Sequence, residues 1–258
     1  MKTFKTSKKI VIKIGSSLLT NSSGGVNKLV LKNVVNDISS LIEDGKKIVV
    51  VSSGAIALGR GKLKLNRDLS LSESQAVAAR GQIELMSAWK NEFIKHKLQV
   101  AQILLSPADT ENKKSSLNAI STINNLITFN CIPIINENDT TATDEIKFGD
   151  NDILAAKISR LISADHMVLL SNVDGLYKEP PKNNKNDDLV SEVNIITKKI
   201  RDMAGTASKL GKGGMISKIK AAEICMKSKC SVIITSGLKD NPIKSLSSKK
   251  TKATRFIA

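Results

Sequence analysis

Short apolar runs alternate along the chain with longer segments in which apolar residues recur at helical spacing. The short runs are rich in Ile and Val and nearly continuous, which is typical of strands buried on both faces. We predict six strands, at Lys9–Gly15, Lys46–Ser52, Val100–Leu105, Cys131–Asn136, His166–Ser171 and Ser231–Thr235. The longer segments predict amphipathic helices at Lys28–Glu43, Ser72–His96, Ser115–Phe129, Asp152–Ser163 and Met215–Ser228.

The alternation of strands and helices predicts an α/β fold with a mainly parallel central sheet. Because crossovers between parallel strands are right-handed, helices cover both faces and give a three-layer α/β/α sandwich. We expect one domain over residues 1–258. Small polar residues and glycines follow the strands, as at Gly15–Ser17, Ser52–Gly54 and Asn136–Asp139. Since ligands bind at the carboxyl ends of strands in such sheets, this pattern predicts a site along that edge.

Two polar segments interrupt the pattern of strands and helices. The stretch Lys178–Asp188 contains adjacent prolines among polar residues, which predicts a mobile surface loop. The stretch Asp139–Phe148 contains threonines with charged neighbours, and we expect it to form a flap or hairpin over the site.

Lysine dominates the charge of the chain, which has 40 Lys and Arg against 24 Asp and Glu and a net charge of +16. Such a balance can indicate a nucleic-acid-binding protein. The lysines are scattered, however, and aromatic residues make up only 3% of the chain, too few for base-stacking platforms. The pattern therefore favours lysine-rich solvated faces over a nucleic-acid interface.

The sequence contains no apolar stretch of about 20 residues, the length that a helix needs to cross a bilayer. Lys13 interrupts the first apolar run, and no small-residue cleavage site follows it. We therefore interpret that run as a core strand rather than a signal peptide. Three cysteines without a C-x-x-C pair favour neither a disulfide framework nor a zinc site. We expect a cytoplasmic protein that does not bind membranes.

Two segments near the amino terminus have the residue types of an anion site. In IVIKIGSS, Lys13 lies within an apolar strand, where an unpaired ammonium is costly. Its side chain must therefore emerge at the strand end or meet an anion, unless the strand lies at a solvated edge. The second segment passes from a strand through Ser52–Gly54 into a helix-forming run. Such a junction can hold a substrate carboxylate near the free N–H groups of the helix.

Two further segments have polar or glycine-rich ends. INEND at 135–139 and KFGDND at 147–152 cluster Asn and Asp residues, which can bind ammonium and carboxylate groups but are equally typical of loops. GKGGMISK at 211–218 places two glycines before a predicted helix and Lys218 in its first turns. That arrangement suits nucleotide phosphates, although a flexible linker is the alternative.

In this order the motifs resemble the amino-acid kinase family, and within it the glutamate 5-kinases. The matching segments are KIGSS at 13–17, VSSGAIALG at 51–59, INEND at 135–139, KFGDND at 147–152, GLY at 175–177 and GGMISK at 213–218. The resemblance spans nearly the whole chain. It implies the amino-acid kinase fold and ATP-dependent phosphorylation of the γ-carboxylate of L-glutamate to γ-glutamyl phosphate, the first step of proline biosynthesis.

The resemblance also implies roles for individual residues. Lys13 and Lys218 are expected to flank the transferring phosphoryl group, and Asp152 to hold both lysines in place. Ser53, Asp139 and Asn151 are expected to bind glutamate. The residues implied for ATP binding are Lys13, Ser171, Asn172, Lys212, Gly213, Gly214, Met215, Ile216, Ser217 and Lys218. Mg²⁺ is implied as a cofactor that the nucleotide largely carries, with no metal ligand from the protein.

Several features of the family pattern differ here or leave alternatives. The chain has Ser171–Asn172 where the family has Thr-Asp, and Lys212 where it has Thr, so nucleotide preference stays open. Many members carry a C-terminal PUA domain, and we expect this chain to be a kinase domain without it. The family further implies a homo-oligomer and a hand-over of the labile product to glutamate-5-semialdehyde dehydrogenase. The alternatives are a kinase of the same fold with another substrate and a catalytically silent amino-acid sensor.

Overall fold

The protein is described by a computed structural model that covers residues 3–141, 151–179, 188–205, 214–248 and 250–258. In these ranges one eight-stranded sheet has the order β3-β4-β2-β1-β5-β7-β8-β6. The strands are β1 (Lys9–Ile14), β2 (Lys47–Ser52), β3 (Gln99–Leu105), β4 (Cys131–Glu137), β5 (His166–Ser171), β6 (Glu192–Val193), β7 (Ser231–Ser236) and β8 (Thr254–Phe256). All neighbours are parallel except β7 and β8.

Helices connect the strands and cover both faces of the sheet. They are α1 (Ser16–Leu19), α2 (Lys28–Glu43), α3 (Ala55–Leu63), α4 (Leu71–Phe93), α5 (Pro107–Glu111), α6 (Lys113–Thr128), α7 (Asn151–Leu161), α8 (Lys198–Asp202) and α9 (Met215–Lys227). In the part of the chain that the structure describes, no helix is long and apolar enough to cross a membrane.

The central strand β1 shows how the two faces are divided. Ile10, Ile12 and Ile14 belong to a buried cluster with residues of α2, α3 and α4. Val11 belongs to the cluster on the opposite face, with residues of α6, α7 and α9. Since side chains alternate along a strand, Lys13 lies on the same face as Val11 and therefore faces α7 and α9. The predicted three-layer α/β/α sandwich with a mainly parallel sheet is confirmed.

The predicted elements match the structure closely, with a few differences. Each of the six predicted strands forms within one residue of its expected bounds. The prediction missed the short strands β6 and β8. Strand β8 pairs antiparallel with β7, so the sheet is not parallel throughout. Helix α7 begins at Asn151, one residue earlier than expected, and α4 continues into a 3-10 turn at Ile94–His96. The single domain stays a prediction, which the continuous sheet supports.

The two predicted polar loops lie largely outside the described residues. Asp139–Thr141 form a short 3-10 helix after β4, while residues 142–148 of the expected flap are not described. Residues 180–187 of the expected surface loop are likewise not described.

Glycines allow α3 and α4 to make backbone contact beside the sheet. A Cβ added at Gly81 of α4 would lie 1.8 Å from the carbonyl oxygen of Ala55, and one at Gly59 would lie 2.0 Å from that of Val77. Any larger residue at either position would push the helices apart. This close approach holds the middle of α4, including Gln82, near the carboxyl ends of β2 and β4.

Candidate active site

Three buried ionic side chains meet at the carboxyl edge of the sheet. Asp152 is fully buried, and its Oδ1 lies 2.5 Å from Lys13 Nζ while its Oδ2 lies 2.9 Å from Lys218 Nζ. The lysine side chains are only 8% and 7% exposed. The hydroxyl of Ser217 also donates a hydrogen bond to Asp152 Oδ2, at 2.8 Å. Within the described ranges the cluster therefore places two lysines on one carboxylate, a balance that favours an anionic ligand.

The elements that carry this cluster are fixed by the core. Lys13 is the fifth residue of β1, and both neighbours of β1 are parallel to it. Asp152 and Lys218 lie in the first turns of α7 and α9. These helices pack against each other through small side chains that are fully buried, namely Ala155, Ala156, Ala221, Ala222 and Cys225. Small side chains allow a close approach, so the two helix starts meet above the end of β1.

Opposing effects set the pKa of Asp152. Burial alone would raise it, but attraction to Lys13 and Lys218 and their hydrogen bonds outweigh burial and lower the pKa from 3.8 to about 2. The carboxylate is therefore ionised at neutral pH. It can hold two lysines together that would otherwise repel each other.

A chain of amide side chains extends from this cluster. Asn151, next to Asp152, donates from Nδ2 to the carbonyl oxygen of Ser52 at 3.1 Å and to Ser53 Oγ at 2.8 Å. The same nitrogen lies 2.8 Å from Asn136 Oδ1. Its Oδ1 is buried and has no hydrogen-bond partner among the described residues. Asn151 thus links the ends of β2 and β4 to the start of α7 and keeps one acceptor for a ligand.

The remaining predicted glutamate ligand, Asp139, lines a cavity beside β3. The cavity has a volume of about 250 Å³ and is lined by residues of α4, β3 and the end of β4, including Glu137 and Asp139. Burial and the nearby charge of Glu137 raise the pKa of Asp139 from 3.8 to about 7. Ser53 and Asn151 are not among the residues that line this cavity.

The described residues that are predicted to bind ATP lie at the carboxyl end of β5 and at the start of α9. Ser171 is buried at the end of β5 and donates to Asn172 Oδ1 at 3.3 Å, while Asn172 is exposed. Gly214 precedes α9 and offers no side chain to cap it, and Met215, Ile216, Ser217 and Lys218 form its first turn. Lys212 and Gly213 lie outside the described residues. Within the described residues, no hydrogen bond or ion pair joins Ser171 or Asn172 to the cluster of Lys13, Asp152 and Lys218.

Two buried residues of α4 that support the site, Gln82 and Trp89, were not predicted from the sequence. Gln82 of α4 accepts a hydrogen bond from Asn136 Nδ2 at 2.8 Å, and both are buried. Trp89 of the same helix donates from Nε1 to Ser52 Oγ at 2.9 Å. A polar residue on the buried face of a predicted amphipathic helix was the available signal for Gln82.

Comparison with known proteins places the chain among kinases. The amino acid kinase family matches residues 8–236. A glutamate 5-kinase from Pelagibacter ubique is 47% identical over 98% of this chain and 69% of that protein. One from Paramagnetospirillum magneticum is 44% identical over 95% of this chain and 67% of that protein. One from Rhodopseudomonas palustris is 48% identical, and this chain spans only 64% of its length.

Solved structures of low sequence identity share the fold. The crystal structure of UMP kinase from Ureaplasma parvum has a TM-score of 0.68 and 18% identity, with complete coverage of both chains. An isopentenyl phosphate kinase has a TM-score of 0.65 and 16% identity, covering 96% of this chain and 99% of that one. At such identities the likeness shows the amino-acid kinase fold alone. The sequence matches go further: this chain belongs to the amino acid kinase family, among its glutamate 5-kinases.

Proposed function

We propose that the chain transfers the γ-phosphoryl group of ATP to the side-chain carboxylate of glutamate at the cluster of Lys13, Asp152 and Lys218. The observation that carries this proposal is the pair of buried lysines held by one ionised carboxylate. Such a pair has the charge and position to bind the oxygens of a transferring phosphoryl group.

The reaction needs no general base from the protein. A glutamate side chain has a pKa near 4.3, so at neutral pH its oxygen already carries the electron pair that attacks the γ-phosphorus. The bond from that phosphorus to the β–γ bridging oxygen breaks, and ADP leaves with the electrons. Phosphoryl transfer depends mainly on positioning and charge stabilisation. Lys13 and Lys218 supply positive charge on two sides, and Asp152 fixes their ammonium groups.

Mg²⁺ fits this site as a partner of the nucleotide. Among the described residues no group of three or more His, Cys, Asp or Glu side chains lies together to hold a metal ion. Asp152, the acidic group of this cluster among the residues that the structure describes, is engaged by the two lysines and Ser217. Mg²⁺ carried by the phosphates would neutralise part of their charge, and Lys13 and Lys218 would neutralise the remaining charge on the transferring group.

We further assign the glutamate and ATP contacts as follows. Ser53 and Asn151 meet next to Asp152, where Asn151 Oδ1 is free to accept a hydrogen bond. Asp139 provides a carboxylate for the α-ammonium of glutamate. For ATP, the uncapped start of α9 at Gly214 presents N–H groups to phosphates, together with Ser217 and Lys218. Ser171, Asn172, Lys212, Gly213, Met215 and Ile216 complete the proposed nucleotide site.

The proposal extends to the protein's surroundings. Exposed Leu117 of α6 and Phe129 directly after it support a homo-oligomer. An acyl phosphate is labile, which supports hand-over of the product to a glutamate-5-semialdehyde dehydrogenase. Three free cysteines suit a reducing compartment such as the cytoplasm.

Trapping of the product tests the function. The chain is incubated with ATP, Mg²⁺ and glutamate in hydroxylamine, which converts an acyl phosphate to a hydroxamate. Parallel reactions contain N-acetylglutamate, aspartate or UMP. Hydroxamate with glutamate but not with N-acetylglutamate or aspartate, and no ADP release with UMP, is expected. Turnover of another member of this panel would assign a different substrate. If folded protein binds ATP but turns over none of them, a silent sensor is favoured.

A further inference from the structure

A buried glutamine lines the cavity beside β3 and has no role in the proposed reaction. Gln82 is only 9% exposed, although it lies in α4 at the rim of the sheet. Its neighbours in the cavity wall are Gln102 and Leu104 of β3 and Glu137, Asn138 and Asp139 at the end of β4. The cavity has a volume of about 250 Å³, which is large enough for the end of a substrate that carries an α-amino and an α-carboxylate group.

Backbone groups fix the orientation of the glutamine amide. The backbone N–H of Glu137 donates to Asn136 Oδ1 at 2.9 Å, so this atom of Asn136 must be the oxygen. Asn136 Nδ2 therefore points the other way and donates to Gln82 Oε1 at 2.8 Å. It follows that Gln82 Nε2 is the group left over, and it is buried without a hydrogen-bond partner among the described residues. A buried unpaired N–H donor is costly, which suggests that a ligand acceptor satisfies it.

Two acidic residues line the same cavity, among apolar residues of α4 and β3. Glu137 is 7% exposed, and Asp139 lies two residues further along the same wall. Two acidic side chains and an amide donor in one cavity suit a ligand with a cation and an acceptor close together. The α-ammonium and α-carboxylate of an amino acid have this arrangement.

We propose that Gln82 Nε2 donates a hydrogen bond to the α-carboxylate of the substrate and thereby selects substrates with a free α-carboxylate. The α-ammonium lies against Asp139, and Asn136 and Asn151 connect this end of the substrate to the phosphoryl-transfer cluster. This inference rests on the proposed function, which it deepens by naming a specificity residue.

The test exchanges charge on both the protein and the substrate. In Gln82→Glu the acceptor for Asn136 is kept, but the donor becomes a carboxylate that repels an α-carboxylate. The same carboxylate can accept from the α-amide of glutamate, which has a free γ-carboxylate. Both reactions are followed as hydroxamate at alkaline pH. We expect kcat/KM for glutamate, divided by kcat/KM for its α-amide, to fall at least about tenfold in Gln82→Glu. Gln99→Glu, which adds the same charge at the exposed start of β3 and outside the cavity lining, should leave the ratio unchanged.

A purely structural role gives a different result. If Gln82 only supported Asn136, Gln82→Glu would lower the rates with both substrates alike, and an unchanged ratio overturns the proposal. Gln82→Met provides a neutral second variant in case the charged one does not fold. It should raise the KM for glutamate about tenfold or more while kcat changes little. An unchanged KM in a folded Gln82→Met variant also overturns the proposal.

Failure of the proposed function is distinguishable from failure of this inference. If the wild-type chain turns over glutamate and the ratio does not respond to Gln82→Glu, only the role of Gln82 is wrong. If the wild-type chain turns over neither substrate, the kinase proposal fails. The affinities of wild type and Gln82→Glu for glutamate and for its α-amide, measured by calorimetry, then test the role of Gln82. If the ratio of the two affinities does not change, or if the protein binds neither compound, the proposed role of Gln82 is wrong.

Discussion

Replacement of Asp152 by Asn removes the buried negative charge that pairs with both Lys13 and Lys218. The displacement of its pKa from 3.8 to about 2 corresponds to about 2 kcal/mol of stability at neutral pH, at about 1.4 kcal/mol per pH unit. Breaking a buried ion pair by removing one partner commonly costs about 3–5 kcal/mol. Because Lys13 and Lys218 are left side by side, we expect Asp152→Asn to lose about 2–5 kcal/mol of unfolding free energy.

Urea denaturation followed by circular dichroism measures this loss at pH 7. A matched variant, Glu111→Gln, removes the same charge from an exposed side chain that pairs with the partly buried Lys157, and it should unfold at the wild-type urea concentration. The stability from Asp152 is present above its ordinary pKa and is lost as pH falls through about 2, so the difference between Asp152→Asn and wild type should be constant from pH 5 to 7. The variant should also turn over glutamate about 100-fold more slowly, since its lysines are no longer held.

A result within about 0.5 kcal/mol of wild type would refute the reasoning, because that is the usual range for surface substitutions. It would mean that the two lysines do not need the carboxylate in the folded chain. Wild-type turnover by a stable Asp152→Asn variant would separately remove its proposed role in holding the lysines.

Three further expectations follow from the same structure. Gly81→Ala should destabilise the chain by about 1–3 kcal/mol in urea, because its Cβ would overlap the carbonyl oxygen of Ala55; a wild-type midpoint would contradict the close helix contact. Protonation of Asp139, whose pKa burial and Glu137 raise to about 7, should raise the KM for glutamate as pH falls below 7, and Asp139→Asn should abolish that dependence. Burial lowers the pKa of His166 to about 4, so the free energy of unfolding should fall as pH drops from about 6.5 to 4. In His166→Gln the free energy of unfolding should depend less on pH, and an equal dependence in both proteins would contradict burial of His166 as a neutral group.

The fold was predictable because its strands are continuous apolar runs separated by helical periodicity. Lys13 stood out for the same reason, since a lysine within an Ile- and Val-rich strand needs a partner unless the strand lies at a solvated edge. Its partner could be assigned only through the family resemblance, because Asp152 lies 139 residues further along the chain. The structure places the two side chains in contact, although no spacing in the sequence joins them.

Other features had no sequence signal strong enough to find them. Strand β8 has three residues and β6 has two, too few to show a period of two. Gln82 lies in a long helix with many polar residues, and its bond to Asn136 joins positions 54 residues apart. Asn151 is the first residue of α7, and its side chain bonds to Ser52 and Ser53 at the end of β2, contacts that no local sequence pattern indicates.

The central claim is that buried lysines held by Asp152 carry phosphoryl transfer. The most direct test compares kcat for hydroxamate formation in Lys218→Ala with that in Lys220→Ala. The second lysine lies in the same helix but is exposed, so both variants lose one charge from α9. The account predicts a loss of about 100-fold or more for Lys218→Ala, with the fold intact by circular dichroism, and a wild-type rate for Lys220→Ala. Equal rates in the two variants would contradict it.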